Sequence, residues 1–227
     1  MPEVTCNLSD CFLCQTCLPE WKDAVATKKK TIQFKKGQQV FHENDKVKGI
    51  FFVYSGSVKV YKKWAANKEL ILRFARAGDV LGHRGLGDDL YPVSARTLEE
   101  TRLCFITNDF LEASLKINPN LTYRLMQLYA SDLQTAEKRM RDLAHMEVKG
   151  RIADALLEIA NVYGYSQDKF IATAITRQDI SSYAGTTYET VFKFLSELSR
   201  KKIISASGKN IKINKPEHLK KLIINRS

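Results

Sequence analysis

Residues 175–204, ITRQDISSYAGTTYETVFKFLSELSRKKII, decide the fold. They read as two short helices around a tight turn. Thr176 precedes the first helix, which runs from about Arg177 to Tyr183, and Asp179 three residues on completes a capping box. Ala184 and Gly185 make the turn, because glycine takes the positive φ that a sharp reversal requires. Thr186 or Thr187 caps the second helix, and Thr186-x-x-Glu189 spells another capping box. Val191, Phe194, Leu195 and Leu198 fall at i, i+3, i+4 and i+7, so one face of that helix is buried. Glu189, Phe192 and Lys193 point elsewhere. Two capped helices around a small-residue turn form either an ordinary helical hairpin or a helix-turn-helix whose second helix enters the major groove.

The flanking sequence bears on that choice. Arg200, Lys201 and Lys202 lead into IISASGKNIKI, which reads as strand, turn at Ser207-Gly208, strand. A helix-turn-helix followed by a basic hairpin is a winged helix. The stretches TRQDI, GTTYETV and IISASGKNIKI stand in the order and spacing of one family. In them the chain resembles the DNA-binding domain of the Crp/Fnr family of bacterial transcription regulators. The resemblance implies a homodimer on inverted-repeat duplex DNA, two recognition helices about one DNA turn apart, and RNA polymerase as a partner. Glu189 is expected to read a base, its carboxylate accepting from cytosine N4. Tyr188 and Lys193 stand where many relatives carry arginine, and Phe192 is expected to touch a thymine methyl. Arg177, Thr187, Lys209 and the run Arg200–Lys202 are expected to hold phosphates.

Composition agrees with an anionic partner. The chain has 227 residues, enough for one or two domains, and 36 Lys+Arg against 25 Asp+Glu give a net charge of +11. That excess suits nucleic acid or an anionic membrane surface. No apolar run reaches the roughly 18 residues of a spanning helix, and the polar, cysteine-bearing N-terminus does not read as a signal peptide. A cytoplasmic protein without a membrane is expected. Five cysteines, an odd number, argue against a closed disulfide framework. Lys28–Lys30 reads as a solvated face. No G-x-S-x-G, phosphate-cradling glycine loop or H-E-x-x-H occurs, and Asp88-Asp89 and Glu99-Glu100 sit in turns, so no enzyme is expected. The alternative of another class is a basic membrane-surface gating protein, against which the winged helix counts.

From Thr31 to about Phe105 the pattern has period two. Short β-branched and aromatic runs are punctuated by Lys36-Gly37, Asn44-Asp45, Ser55-Gly56, Ala77-Gly78 and Gly85–Gly87, which implies an antiparallel barrel or roll. KKGQQVFHEND, GIFFVYSGSVKVY and AGDVLG resemble the cyclic-nucleotide-binding β-roll of the same family. The fold class is thus α+β: an N-terminal cyclic-nucleotide-binding-type antiparallel β-roll, a long dimerisation helix and a C-terminal winged helix-turn-helix. The expected divisions are 1–117, 118–145 and 146–227. Nucleotide-binding relatives carry Gly-Glu-Leu and Arg-Ser; this chain has Gly82-His83-Arg84-Gly85-Leu86 and Val93-Ser94. The phosphate arginine is missing and a base replaces the ribose carboxylate, so a cyclic nucleotide is not expected. Gly82, His83, Arg84 and Ser94 remain the candidate pocket for an anion or another small molecule that would control a regulator of this fold.

Cys6, Cys11, Cys14 and Cys17 lie in CNLSDCFLCQTC with gaps of four, two and two residues. Read from spacing alone they suit an iron–sulfur ligand run, a zinc site, a thiol switch or uncoordinated thiols. Cys104, in LEETRLCFI, reads as a small buried strand residue. The Fnr branch of the family pairs an N-terminal cysteine cluster with one cysteine in this strand context. That resemblance implies a [4Fe-4S] cluster on Cys11, Cys14, Cys17 and Cys104, with Cys6 as substitute; the Cys14-x2-Cys17 gap is shorter than the family's. A haem on Pro2 and His83 is a further option. Leu18-Pro19 closes the segment, and Glu20–Ala26 reads as a short helix with Trp21 and Val25 inward.

Asn118-Pro119 signals the start of a helix running to about His145. Met126, Tyr129, Leu133, Ala136, Met140 and Leu143 alternate steps of three and four, the seam of a coiled coil, and form the expected dimer interface. Met146–Tyr163 reads as another helix, ended by Gly164, and a small hairpin over Tyr165–Ile175 leads to the helix-turn-helix.

Overall fold

The structure is a computed structural model and describes residues 11–64 and 68–224. Cys6 and Pro2 lie outside the described residues. An N-terminal arm holds α1 (Phe12–Thr16), a single 3-10 turn at Pro19–Trp21 and α2 (Lys22–Lys28). Eight strands follow: β1 (Lys30–Phe34), β2 (Gln39–Phe41), β3 (Gly49–Ser55), β4 (Val58–Trp64), β5 (Lys68–Ala75), β6 (Val80–Leu81), β7 (Ser94–Thr97) and β8 (Thr101–Thr107). They form two four-stranded sheets, ordered β1-β8-β3-β6 and β2-β7-β4-β5. Helices α3 (Asn108–Ile117), α4 (Pro119–His145) and α5 (Val148–Tyr163) come next. The C-terminal part holds α6 (Arg177–Ala184), α7 (Tyr188–Arg200), the hairpin β9 (Ile204–Ser207) and β10 (Asn210–Ile213), and α8 (Pro216–Ile224).

The chain divides into two compact units. One takes the described residues up to Val60 with Ala75–Gln134; the other takes Tyr61–Phe74 and the described residues from Thr135 onward.

Strand β8 is buried on both faces, and alternation explains what each face does. Leu103 and Phe105 share one face, where Phe105 meets Phe51 and Phe51 meets Phe41. Cys104 and Ile106 share the other. Cys104 pairs with Phe52 and Ile106 with Ile50 on β3, which puts all four side chains on one surface. Val25, Leu111 and Leu121, from α2, α3 and α4, cover it. A strand that alternates polar and apolar needs one cover; this one needs two, and the arm with α3 supplies the second.

Helix α3 is absent from the sequence expectations. Thr107 caps it, its hydroxyl accepting from the Phe110 N–H. Asn118-Pro119 marks a helix boundary as expected, with Asn118 ending α3 and Pro119 opening α4. The expected hairpin after Gly164 is present, with a bridge between Tyr165 and Ile171.

Candidate nucleic-acid interface and thiol site

The capping box at Thr176 and Asp179 is present in both directions. Gly185 ends α6 in the left-handed region at φ 61°, and a Cβ there would stand 2.8 Å from Leu143 Cδ2. The positive φ is what calls for glycine; the Leu143 methyl, at the end of a flexible side chain, could shift. The second cap differs from Thr186-x-x-Glu189: Thr187 is the cap, and its hydroxyl accepts from the Thr190 N–H. Glu189 is therefore an exposed first-turn residue, favourably placed against the helix dipole, and no capping-box partner. Val191, Phe194, Leu195 and Leu198 are buried as the spacing requires. Transfer from water contributes about 1.5–3 kcal/mol for each.

The opposite face of α7 presents Tyr188, Glu189, Phe192 and Lys193, all exposed. The Tyr188 and Phe192 rings stack with centroids 6.4 Å apart. Arg177 lays its guanidinium over the Phe192 ring at 5.5 Å. The hairpin turn falls at Gly208-Lys209, one residue later than expected, because Ser207 pairs with Asn210. Thr176, Arg177, Tyr188, Gly208 and Lys209 line a cleft of about 160 Å³. Of the expected DNA contacts, Arg177, Tyr188 and Lys209 thus converge there, while Thr187 sits at the helix start. Lys201 is engaged within the protein, its Nζ 2.7 Å from Glu197 Oε1.

Cys11, Cys14, Cys17 and Cys104 are buried thiols of one apolar cluster, with Leu13, Ile50, Phe52 and Ile106 among its other members. The arm reaches this position through named bonds. The Leu18 N–H donates to Asn118 Oδ1 at 2.7 Å, and the Trp21 indole donates to Ser114 Oγ at 2.9 Å. The Cys14 thiol donates to Cys11 and is the main reason that the Cys11 pKa falls to about 6; burial opposes it, and the N–H groups of Cys14 and Leu13 and the Lys29 charge assist. Burial pushes Cys17 up to about 11, with the negative charge on Cys11 adding to it. Among the described residues no three His, Cys, Asp or Glu side chains are grouped to share one ion. Thiolates are the donors that an iron–sulfur group takes, and these four belong to one buried cluster; they suit such a group in donor chemistry, though they are not gathered around one point.

The candidate pocket residues are engaged within the protein. Arg84 donates through Nε at 3.2 Å and Nη2 at 2.9 Å to Asp132 Oδ2, and His83 Nε2 stands 3.1 Å from the same oxygen. Ser94 Oγ accepts from the Glu43 N–H at 2.9 Å. Gly82 has φ 81° and starts the 3-10 turn His83–Gly85. Asp132 carried no signal in the sequence, since it reads as an ordinary surface residue of a long helix.

The seam on α4 divides in two. Met126, Leu133 and Met140 recur every seven residues and are 60–63% exposed. Ala136 is exposed as well. Tyr129 turns inward, its hydroxyl donating to the His83 carbonyl, and Leu143 is half-buried beside Gly185. Tyr123, which the expected seam omits, adds a further exposed ring one turn before Met126.

A β-roll, a long helix and a winged helix-turn-helix with an exposed reading face define a DNA-binding transcription regulator. Comparison with known proteins agrees. Residues 31–118 match the cyclic nucleotide-binding domain, and residues 150–222 match the Crp-like helix-turn-helix domain. The chain is 30% identical to the fumarate and nitrate reduction regulatory protein of Yersinia pestis over 227 residues, covering 95% of this chain and 90% of that protein. It is 28% identical to the protein of the same name from Escherichia coli strain K12, with the same coverage. FixK2 from Bradyrhizobium japonicum has a similar structure, with a TM-score of 0.77 and 25% identity over 88% of this chain and 99% of that one. The chain belongs to the Crp/Fnr family of transcription regulators. Regulators of this family bind DNA and act as dimers.

Proposed function

We propose that this protein is a cytoplasmic, dimeric regulator whose promoter binding responds to oxygen or redox state through an iron–sulfur group on Cys11, Cys14, Cys17 and Cys104. One observation carries the reading: three thiols of the arm and one of strand β8 belong to a single buried cluster. The names of the relatives, which refer to fumarate and nitrate reduction, support it. When bound, such a group supplies oxygen-sensitive redox chemistry. The chain's own residues do the rest. The four thiolates hold it, Leu13, Phe52 and Ile106 limit water, and Leu18 and Trp21 fix the arm against Asn118 and Ser114. Those two anchors lie at the α3–α4 boundary, so loading at the cysteines bears directly on the start of the long helix.

Functionally, 1–117 is the sensor, 118–145 the dimerisation helix and 146–227 the DNA-binding domain. The exposed apolar positions of α4 support a two-fold partner, since an isolated seven-residue stripe in water is otherwise costly. Arg84 and Ser94, both engaged within the protein, support a roll that operates without a cyclic nucleotide. Glu189 reads a base, with Tyr188, Phe192 and Lys193 on the same face; Arg177, Thr187, Lys209 and the run Arg200–Lys202 contribute phosphate contacts, and RNA polymerase is the downstream partner.

The test is anaerobic purification followed by an absorption spectrum and iron and sulfide analysis. About four iron and four sulfide per chain are expected, with a visible band that bleaches in air. Single Ala variants of the four cysteines should lose iron while remaining folded. A colourless, iron-free protein that binds DNA equally with and without air overturns the proposal.

A further inference from the structure

The reading face of α7 carries two aromatic rings where a partner made of phosphates and base edges would be met by polar groups alone. Tyr188 is 46% exposed and Phe192 48% exposed. They are four residues apart, so they lie one above the other on the helix surface. Both are fixed there. The two rings stack at 6.4 Å with 17° between their planes, and the Arg177 guanidinium covers the Phe192 ring at 5.5 Å. Aromatic pairs and cation–π contacts of this geometry hold a side chain in place beyond simple burial. Glu189 sits beside Tyr188 on the same exposed face.

The major groove offers one apolar group along its floor, the C5 methyl of thymine, which 5-methylcytosine shares. We propose that Tyr188 and Phe192 form a methyl-reading pair that selects thymine, or a 5-methylated cytosine, at neighbouring base pairs of each half-site. The inference rests on α7 being the helix that enters the groove. One helical turn rises about 5.4 Å and one base pair about 3.4 Å, so rings one turn apart serve positions one to two base pairs apart. Arg177 acts here as a positioning residue, keeping Phe192 against the groove floor.

The test starts from duplexes selected by the full-length dimer out of a pool of random inverted repeats. Each thymine of the selected half-site is then replaced singly by deoxyuridine, which removes only the methyl, and affinity is read by fluorescence anisotropy at fixed salt. One or two positions per half-site should weaken by about three- to five-fold, the loss expected for one buried methyl. At those positions 5-methylcytosine should bind better than cytosine. Phe192→Ala and Tyr188→Ala should each abolish the thymine–uracil difference at one position, read as the ratio of the two affinities within each variant. Equal affinity for thymine and uracil at every position overturns the proposal, as does a thymine–uracil ratio unchanged in both variants. A selection that returns no consensus overturns the reading of α7 itself, and the methyl proposal with it; a clear consensus indifferent to methyl removal overturns the methyl proposal alone.

Discussion

Arg139 and Tyr183 meet twice: Nη2 donates to the Tyr183 carbonyl at 2.8 Å, and the guanidinium lies 3.7 Å from the centre of the Tyr183 ring. The same guanidinium donates through Nη1 to the Leu72 carbonyl at 2.8 Å, and the Tyr183 ring stacks on Phe74 at 5.1 Å. Arg151 does similar work next door, donating to the Ala184 carbonyl at 2.9 Å and the Met146 carbonyl at 2.8 Å. The last turn of a helix leaves carbonyls without intrahelical donors at the negative end of the helix dipole. Two arginines occupy that end of α6, one from the long helix and one from α5.

Replacing Arg139 by leucine leaves the Leu72 and Tyr183 carbonyls without this donor. Hydrogen bonds from a charged donor contribute about 1.5–3 kcal/mol each when protected from water; with partial exposure, a combined loss of about 2 kcal/mol is expected. Urea unfolding should show a lower midpoint at unchanged slope. Arg139→Lys should recover only part of it, because an ammonium lacks the planar fork that reaches two carbonyls at once. A leucine variant with the wild-type midpoint would show the clamp to be idle.

Glu197 bridges two lysines, with Lys149 Nζ at 2.8 Å and Lys201 Nζ at 2.7 Å. The hydrogen bond from Lys149, and then that from Lys201, hold its pKa at about 2, below the ordinary 4.5. A carboxyl depressed in the folded state contributes stability above its unfolded pKa, and loses it as pH falls through the folded value. Glu197→Gln should therefore melt below wild type near neutral pH. The difference should close between pH 4.5 and 2 and shrink in high salt, since the group is solvent-facing. A gap constant across that window would assign the loss to packing rather than charge.

Much of this was legible in the sequence, and what was not has physical causes. The pairing of Thr176 with Asp179 and the period of Val191, Phe194, Leu195 and Leu198 are local signals, and they located α6 and α7 to within a residue or two. The choice between Thr186 and Thr187 as cap is also local, but two adjacent threonines offer the same hydroxyl, and backbone geometry decides. Tyr129 belongs to the apolar period of α4, yet its hydroxyl is held by the His83 carbonyl 46 residues away, a pairing that no period encodes. Asp132 is the same case: His83 and Arg84, 49 and 48 residues away, both reach its Oδ2. Cys104 is legible as a buried strand residue. That the arm thiols join it depends on Asn118 and Ser114 receiving Leu18 and Trp21, about a hundred residues downstream.

Lys202 follows the end of α7 with φ 56°, in the left-handed region. Its N–H donates to the Ser199 carbonyl at 2.9 Å, and the Ile203 N–H donates to the Leu198 carbonyl at 2.9 Å. This is the paired closure that glycine ordinarily serves. Lys202→Gly should relieve the strain of a Cβ in that region and raise stability by about 0.5–1 kcal/mol. It should also remove one cation from the basic run, so DNA affinity should fall while the melting temperature rises. A drop in both would mean that the lysine side chain supports the turn.

Glu189 and Lys209 separate reading from holding. Glu189 lies on the exposed face of α7 and accepts hydrogen bonds only, so at a base edge it matches the N4 amine of cytosine. Lys209 sits at the tip of the β9–β10 hairpin, beside the cleft that Arg177 and Tyr188 line, and offers a compact charge that suits a phosphate of any sequence. Glu189→Ala should bind matched and mismatched duplexes more nearly alike, losing about 1–3 kcal/mol of discrimination at one base pair. Lys209→Ala should weaken every duplex by a similar factor and lower the slope of log affinity against log salt by about one for each chain. The two effects belong to different axes, one of sequence and one of ionic strength, and a titration of matched and mismatched duplexes at several salt concentrations resolves both. Uniform losses from both variants, with neither preference nor salt slope altered, would remove the division of labour between the recognition helix and the wing.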